Sequence, residues 1–311
     1  MTNETAIKYL NFLTREYKGI TQLITSTKQR LQSLPGEKRD EKFDTLLKGQ
    51  GMAEGLETVK GRITREIEKE LKRWDVWELW AKRIPGIGPF ITAQMIVLFY
   101  YRFIPVCKDC GGILEKKEKQ TETGKTIKTL ICVVCGKVAK EGLLTHRLEY
   151  KDFPTISKWW AYMGRHTVEG VMPKRKSGVQ SNWSTIGRTV GYHIGEEFNR
   201  QKEYHPYKAL LNIRKEKHAK NHPEWKKGHI HNAAKNEVVK IFLAHWWTVA
   251  RILEGKTVSE PYAGALMGHT NIIKPFYWES EVKPETHILG ASDSQSETHY
   301  ERASSPIEAR I

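Results

Sequence analysis

No stretch of this 311-residue chain is long and apolar enough to cross a bilayer: the longest apolar run is cut off at Arg102, far short of the ~20 residues a spanning helix needs. Met1 to Phe12 lack a basic segment followed by an apolar one and a small-residue cleavage site, so no secretion signal is expected. Cysteine is scarce, at four residues, and no internal repeat is visible. Acidic residues are the minority charge, with 36 Asp and Glu against 51 Lys and Arg, giving a net +15 and a pI near 9.5. That balance points to a polyanionic partner, nucleic acid before membrane, and the excess is spread along the chain rather than held in one tail. The clustered carboxylates of a two-metal nuclease are also missing, since Glu196, Glu197 and Glu237 stand on helical stretches beside lysines and arginines. Together these absences predict a cytoplasmic, nucleoid-associated protein with no membrane partner.

What is present centres on Arg83-Ile84-Pro85-Gly86-Ile87-Gly88-Pro89-Phe90-Ile91-Thr92-Ala93. Upstream, Val59, Ile63, Ile67 and Leu71 recur at helical spacing and Trp77 and Trp80 carry the apolar face on to Ile84, predicting a helix from about Gly55 to Lys82. Downstream, Phe90, Ile91, Met95, Val97, Leu98 and Phe99 predict a second, nearly all-apolar helix. The pattern is that of a helix-hairpin-helix, with Gly86 and Gly88 taking backbone angles closed to other residues and Pro89 opening the second helix. Such a loop aims backbone N–H groups at one point, which suits a phosphate oxygen. Lys82, Arg83, Gly86, Ile87 and Gly88 are therefore candidate DNA-binding residues. A plain helix turn with a glycine C-cap is the simpler alternative.

The four cysteines form Cys107-x2-Cys110 and Cys132-x2-Cys135, with 21 residues between the pairs and none left over. Two such pairs supply four thiolates in the tetrahedral set that Zn2+ prefers. Ile113-Leu114 and Ile127 to Ile131 read as two short strands joined near Thr123-Gly124-Lys125, completing a zinc ribbon. Two disulfides need an oxidising compartment, and a redox CxxC needs a βαβ context; neither is indicated. The ribbon lysines Lys116, Lys117, Lys119, Lys125 and Lys128 have acidic neighbours, which leaves nucleic-acid contact and a solvated face equally open.

The rest of the chain reads as helices. Residues 5 to 34 carry Ile7, Leu10, Leu13, Tyr17, Ile20, Ile24 and Leu31 at three-to-four spacing up to Pro35-Gly36, predicting an arm that pairs with the next helix or dimerises as a coiled coil. A short helix follows Pro154-Thr155 through Trp159 and Trp160 to Gly164, and an irregular basic stretch runs from Gly170 to Ser184. Further helices carry Ile186, Val190, Ile194 and Phe198; then Pro206 to Lys217; then Ile230 through Ile252 to Gly255. Beyond Pro284 the composition is that of a disordered tail. His245 and Trp74, Trp77, Trp80, Trp159 and Trp160 read as core. His229 and His231 read as helix-terminal groups, and Pro223 argues against one helix running through both His218 and His222.

In this order the hairpin, the Trp159-Trp160-Ala161-Tyr162-Met163-Gly164 segment, the basic Ser-Gly stretch and the late helix resemble the C-terminal half of insertion-sequence transposases of the IS-one-ten type (IS-one-sixteen and IS-nine-oh-two included), over roughly residues 55 to 100 and 153 to 255. The resemblance implies DNA as partner, with RNA as a second candidate, and a serine that attacks DNA together with an acidic RuvC-like (DEDD) domain. By position that serine is Ser177, in Lys176-Ser177-Gly178, with Ser181 and Ser184 as alternatives. Lys174, Arg175, Lys176 and Arg188 would bind DNA and stabilise charge at the reacting phosphate. Two departures stand out. The zinc ribbon is inserted, and the first 55 residues offer no apolar strand ending in Asp that would begin the acidic domain. The expectation is a homo-oligomer or a partner chain carrying that site. Two readings stay open: a serine-dependent recombinase without its own acidic domain, and a non-catalytic accessory protein gripping branched DNA or structured RNA. The predicted fold is mainly α, with a helical arm (1–54), a helix-hairpin-helix (55–104), a small β zinc-ribbon insertion (105–140), a helical transposase-like domain (141–283) and a tail (284–311).

Overall fold

Helix α1 (Asn3–Gln32) buries Ile7, Leu10 and Leu13 at three-residue steps and lies against α2 (Leu56–Leu71). Lys28, near the end of α1, reaches Glu57, at the start of α2, at 2.9 Å, so the two run antiparallel. Both side chains are exposed, so this pair marks the register of the hairpin more than it stabilises it. Of the two arrangements expected for the arm, the chain takes the intramolecular hairpin. In this computed structural model the described residues are 3–33, 45–50, 53–120, 126–139, 145–167, 171–175, 181–258 and 273–278, all within the compact unit Met1–Glu279. The expected tail lies outside them. They are mainly helical with small sheets, and no helix among them is long and apolar enough to cross a membrane.

The helix expected to run unbroken to Lys82 does not. It stops at Leu71, turns through residues 72–74, and resumes as a short segment, π-helical over Val76–Trp80 and 3-10 over Ala81–Arg83. The buried positions explain the break. Ile67, Leu71, Val76 and Trp80 are spaced four, five and four apart. At about 100° per residue a continuous α-helix would swing Val76 roughly 140° away from Leu71 and out of the core. The turn and the wider π segment absorb that residue. Helix α3 (Pro89–Tyr100) follows and is buried along most of its length.

From Tyr101 the chain leaves the helical body. Strand β3 (Tyr101–Val106) pairs antiparallel with β7 (Thr145–Tyr150), from Tyr101↔Tyr150 to Val106↔Thr145. Between them β4 (Leu114–Gln120), β5 (Thr126–Cys132) and β6 (Val138–Ala139) form a separate sheet, with Leu114↔Cys132 and Leu130↔Ala139 in register. One further two-stranded ladder joins Gly49–Gln50 to Ala53–Glu54, here β1 and β2. The β3–β7 ladder was not expected.

Helices α4 (Ile156–Tyr162), α5 (Thr185–Arg200) and α6 (Pro206–Asn221) all pack on α7 (Lys227–Leu253). Val238, Phe242, Trp246 and Val249 recur along α7 at three-to-four spacing and are fully buried. Trp80 meets Phe242 and Trp246 at ring separations of 5.9 and 6.0 Å, and Phe198 stacks on Tyr207 at 4.4 Å. Truncating one such aromatic to Ala costs about 3–5 kcal/mol. Several buried indoles donate to backbone oxygens: Trp80 to Phe276 (2.7 Å), Trp160 to Lys240 (2.9 Å) and Trp247 to Phe153 (2.6 Å).

His245 is core, as expected, and has two hydrogen-bond partners. Its Nε2 lies 2.8 Å from the Ile273 carbonyl and so carries the proton, while Nδ1 accepts from Tyr207 Oη at 2.8 Å. Burial, opposed by the Ile273 carbonyl, pushes the imidazole down from 6.5 to about 4. Between those values the unfolded chain binds a proton that the folded chain refuses. Stability is therefore intact above pH 6.5 and is lost as pH falls toward 4. A Gln at this position can make both hydrogen bonds without titrating. Urea unfolding across that window should show His245→Gln losing roughly 3 kcal/mol less than the wild type; parallel profiles would contradict this account of His245.

Candidate functional site

The four cysteines come together at the far end of the β3–β7 ladder. Their sulfurs all lie within 4.8 Å of one another, Cys107 to Cys135 at 3.7 Å and Cys110 to Cys132 at 3.4 Å. A tetrahedral ion with bonds of about 2.3 Å to sulfur sets sulfurs about 3.8 Å apart, so the group is of the size a metal ion needs. Each pair sits on the same kind of turn. Gly111 N–H donates to Cys107 O (2.9 Å) and Gly136 N–H to Cys132 O (3.0 Å). Cys107 N–H and Cys132 N–H return to Gly112 O and Lys137 O at 2.7 and 2.9 Å. The backbone also favours thiolates. N–H groups of Cys135 and Val134 hold the Cys132 thiol down to about 6, and those of Cys110 and Asp109 lower Cys107. Cys110 goes the other way: the Gly112 N–H lowers it, but hydrogen bonds with Cys132 and Cys135, and burial, carry it up to about 12. Four sulfurs this close share protons, and an ion replacing those protons would relieve that competition.

The second candidate is the turn between the short helical segment and α3. Gly86 has φ +87°, and a Cβ there would meet Gln201 Nε2 at 2.9 Å and Glu197 Cβ at 3.2 Å on α5. Glycine is required at Gly86 on both counts. Gly88 is different, which corrects the expectation for it. Its φ is −81°, and nothing lies within 4 Å of where a Cβ would stand. It precedes Pro89 at the N-terminus of α3, which no side chain caps. At Ile87 the side chain is buried and the N–H donates to Ile84 O at 3.0 Å, which fixes the turn. Lys82 and Arg83 are exposed beside the turn, Lys82 paired with Glu78 at 2.5 Å.

The basic stretch is only partly described. Lys174 and Arg175 are exposed, whereas Lys176 and Ser177 lie outside the described residues. Ser184 caps α5, its hydroxyl accepting from Gly187 N–H at 3.0 Å. That accounts for the residue structurally. Arg188 donates to Pro173 O at 2.5 Å, and its guanidinium lies 5.3 Å from the Trp183 ring centroid. The stretch and the glycine turn are not brought together. Gly86 abuts Glu197 and Gln201 at one end of α5, and Ser184 caps the other, a separation of about 20 Å at 1.5 Å per residue.

One residue near this stretch was not anticipated. Arg165 is only 4% exposed, and it donates to Asn236 and to Arg188 O. Burial and the nearby Arg188 lower its pKa to about 10. It fits because Gly191 leaves the space: a Cβ there would meet Arg165 Nη2 at 2.8 Å. Gly187, Gly191 and Gly195 repeat every four residues along α5 and admit Met163, Arg165 and Lys235 in turn. That spacing was visible in the sequence and was the signal to read.

The two glycines of the turn give a direct comparison. Gly86→Ala should destabilise by about 1–2 kcal/mol or more, from left-handed strain plus the Gln201 contact, while Gly88→Ala should stay within about 0.5 kcal/mol. Equal losses in chemical denaturation would mean the local geometry is wrong. No protein-family model, curated protein or solved structure matches the chain.

Proposed function

We propose that this protein binds DNA through a helix-hairpin-helix at residues 76–100, within a transposition or recombination system of the IS-one-ten kind, and carries a structural Zn2+ on its four cysteines as a zinc ribbon. The observation that carries the DNA reading is Gly88. A glycine that needs neither unusual dihedrals nor space for its own neighbours leaves room for something outside the chain. Here that room lies at an uncapped helix N-terminus beside Lys82 and Arg83. Amide groups of the first turn of α3 have no intrahelical partner, and a phosphate oxygen satisfies them while meeting the positive end of the helix dipole. The net charge of +15 supplies the long-range attraction. On this reading Lys174, Arg175, Lys176 and Arg188 contact DNA as well.

Binding of this kind releases counterions, so affinity for a duplex should fall steeply as salt rises, and a Lys82→Gln, Arg83→Gln double variant should flatten that slope by about two. A salt-independent affinity would remove the basis for the reading. Competition among duplex DNA, a branched junction and structured RNA assigns the target. If the chain is also the recombinase, Ser177→Ala should abolish strand cleavage or joining in the presence of a DEDD-type partner while leaving DNA affinity nearly intact, because one hydroxyl adds little to many cationic contacts.

Four thiolates leave no open coordination position, so the ion is structural. Purified protein should hold one zinc per chain by elemental analysis, and a Cys107→Ser, Cys132→Ser variant should release it. Chelation should unfold residues 107–139 selectively, read as lost amide protection there. Protection unchanged after complete metal removal would rule the site out.

A further inference from the structure

A cavity of about 270 Å³ opens where the β3–β7 ladder leaves the helical body. Its walls are aromatic: Trp74, Tyr100, Tyr101 and Tyr150. Trp74 and Tyr100 are stacked at 5.5 Å, and Tyr101 and Tyr150, the first pair of the ladder, meet at 87° to make a corner. The charged side chains on its lining are two acidic and one basic, the last being Arg73. Asp75 and Glu254 line the cavity, and the charged or ionisable neighbours that act on Tyr100 (Glu254, Tyr150, Asp75 and Tyr101) all raise its pKa, after burial. Three helices end here as well. Tyr100 closes α3, Leu253 closes α7, and Arg73 and Trp74 follow the end of α2. Two helical segments begin here too, α1 with Ala6 in its first turn and the short segment at Val76, so positive and negative helix ends both meet the space.

Two cations stand nearby, and both are engaged. Arg73 is 3.7 Å from Glu70. Lys256 is 2.8 Å from Glu254, and its ammonium stands 4.6 Å from the centroid of the Tyr150 ring. Lys256 does not line the cavity, so one wall already holds an ammonium of the chain's own by combining a ring face with a carboxylate.

We propose that this cavity binds a small alkylated ammonium group, held by the rings of Trp74, Tyr100, Tyr101 and Tyr150 and by the carboxylates of Asp75 and Glu254. Aromatic walls recognise such a cation through their ring quadrupoles, and its weak hydration makes it easy to desolvate. The inference does not rest on the DNA reading.

The probe is choline, titrated calorimetrically into the full chain beside 3,3-dimethylbutan-1-ol, its uncharged analogue of matching shape. Choline should bind at least about tenfold more tightly than the alcohol. Tyr150→Leu and Asp75→Asn, at positions on the surface, should each weaken choline about five- to tenfold with the melting temperature retained. A short peptide bearing one trimethyllysine, run in parallel, identifies the source: tighter binding than choline assigns the group to a partner protein, weaker binding to a free small molecule. No heat with choline or the peptide at millimolar concentration, equal binding of the uncharged analogue, or unchanged affinity in both folded variants would each overturn the proposal.

Discussion

The architecture depends on burying indole rings around α7 while still satisfying their N–H groups. Each such donor left without an acceptor costs about 1–3 kcal/mol. Trp80 and Trp247 meet this constraint with carbonyls from non-helical chain, Phe276 and Phe153, so the rings that fill the core also fasten the segments between helices. The Trp80 bond joins residues 196 apart, and His245 adds a second tie, to Ile273. Residues 273–278 are held against the helices by these two contacts, though their sequence has no periodicity to announce it. The solution is not complete, since the Trp159 and Trp246 indole nitrogens are buried without a partner among the described residues. Those two rings contribute packing at the expense of hydrogen bonding.

From this core α5 acts as a strut. Its apolar side, through Val190, Ile194 and Phe198, is buried, and its three spaced glycines let neighbouring side chains approach its axis closely. Its C-terminal end presses on Gly86, and its N-terminal end is capped by Ser184 at the exit of the basic stretch. On the proposed reading, two phosphate-facing features are thereby fixed about 20 Å apart, close to six base pairs of duplex at ~3.4 Å each. Strain at either end would change that spacing, so packing inside the helical body sets the geometry of the surface.

How much of this could be read from the sequence follows from how local each signal is. The amphipathic helices and the cysteine turns are written within a few residues, and Ile7, Val190, Phe242 and Cys107 lie where their spacing puts them. The break after Leu71 was also local, in the step of five from Leu71 to Val76, but Trp77 and Trp80, carrying the apolar face onward, masked it. The β3–β7 ladder carried no local signal: Tyr101 and Tyr150 are adjacent in space with the whole cysteine module between them, and neither strand has a turn leading to its partner. Gly88 shows another limit. Composition and spacing marked it as one of two equivalent glycines, and only its dihedrals and the empty space beside it separate a residue the fold needs from one it does not.

The cysteine module brings the argument back to the cost of folding. Its own buried cluster consists of Cys107, Leu114, Leu130 and Cys132, with Ala139 against it, whereas Val133, Val134 and Val138 are largely exposed. Among the described residues, these two aliphatic side chains and two cysteines bury too little apolar area to offset the ordering of β4, β5 and β6. The turns nevertheless converge four sulfurs and aim N–H groups at Cys107 and Cys132. A group of ligands at that separation, in a module without a sufficient core, is stable when an ion bridges it, because the energy of metal binding then becomes the energy of folding. On the proposed reading the exposed valines follow from the same logic: with an ion as its centre, the module would have no need to bury them.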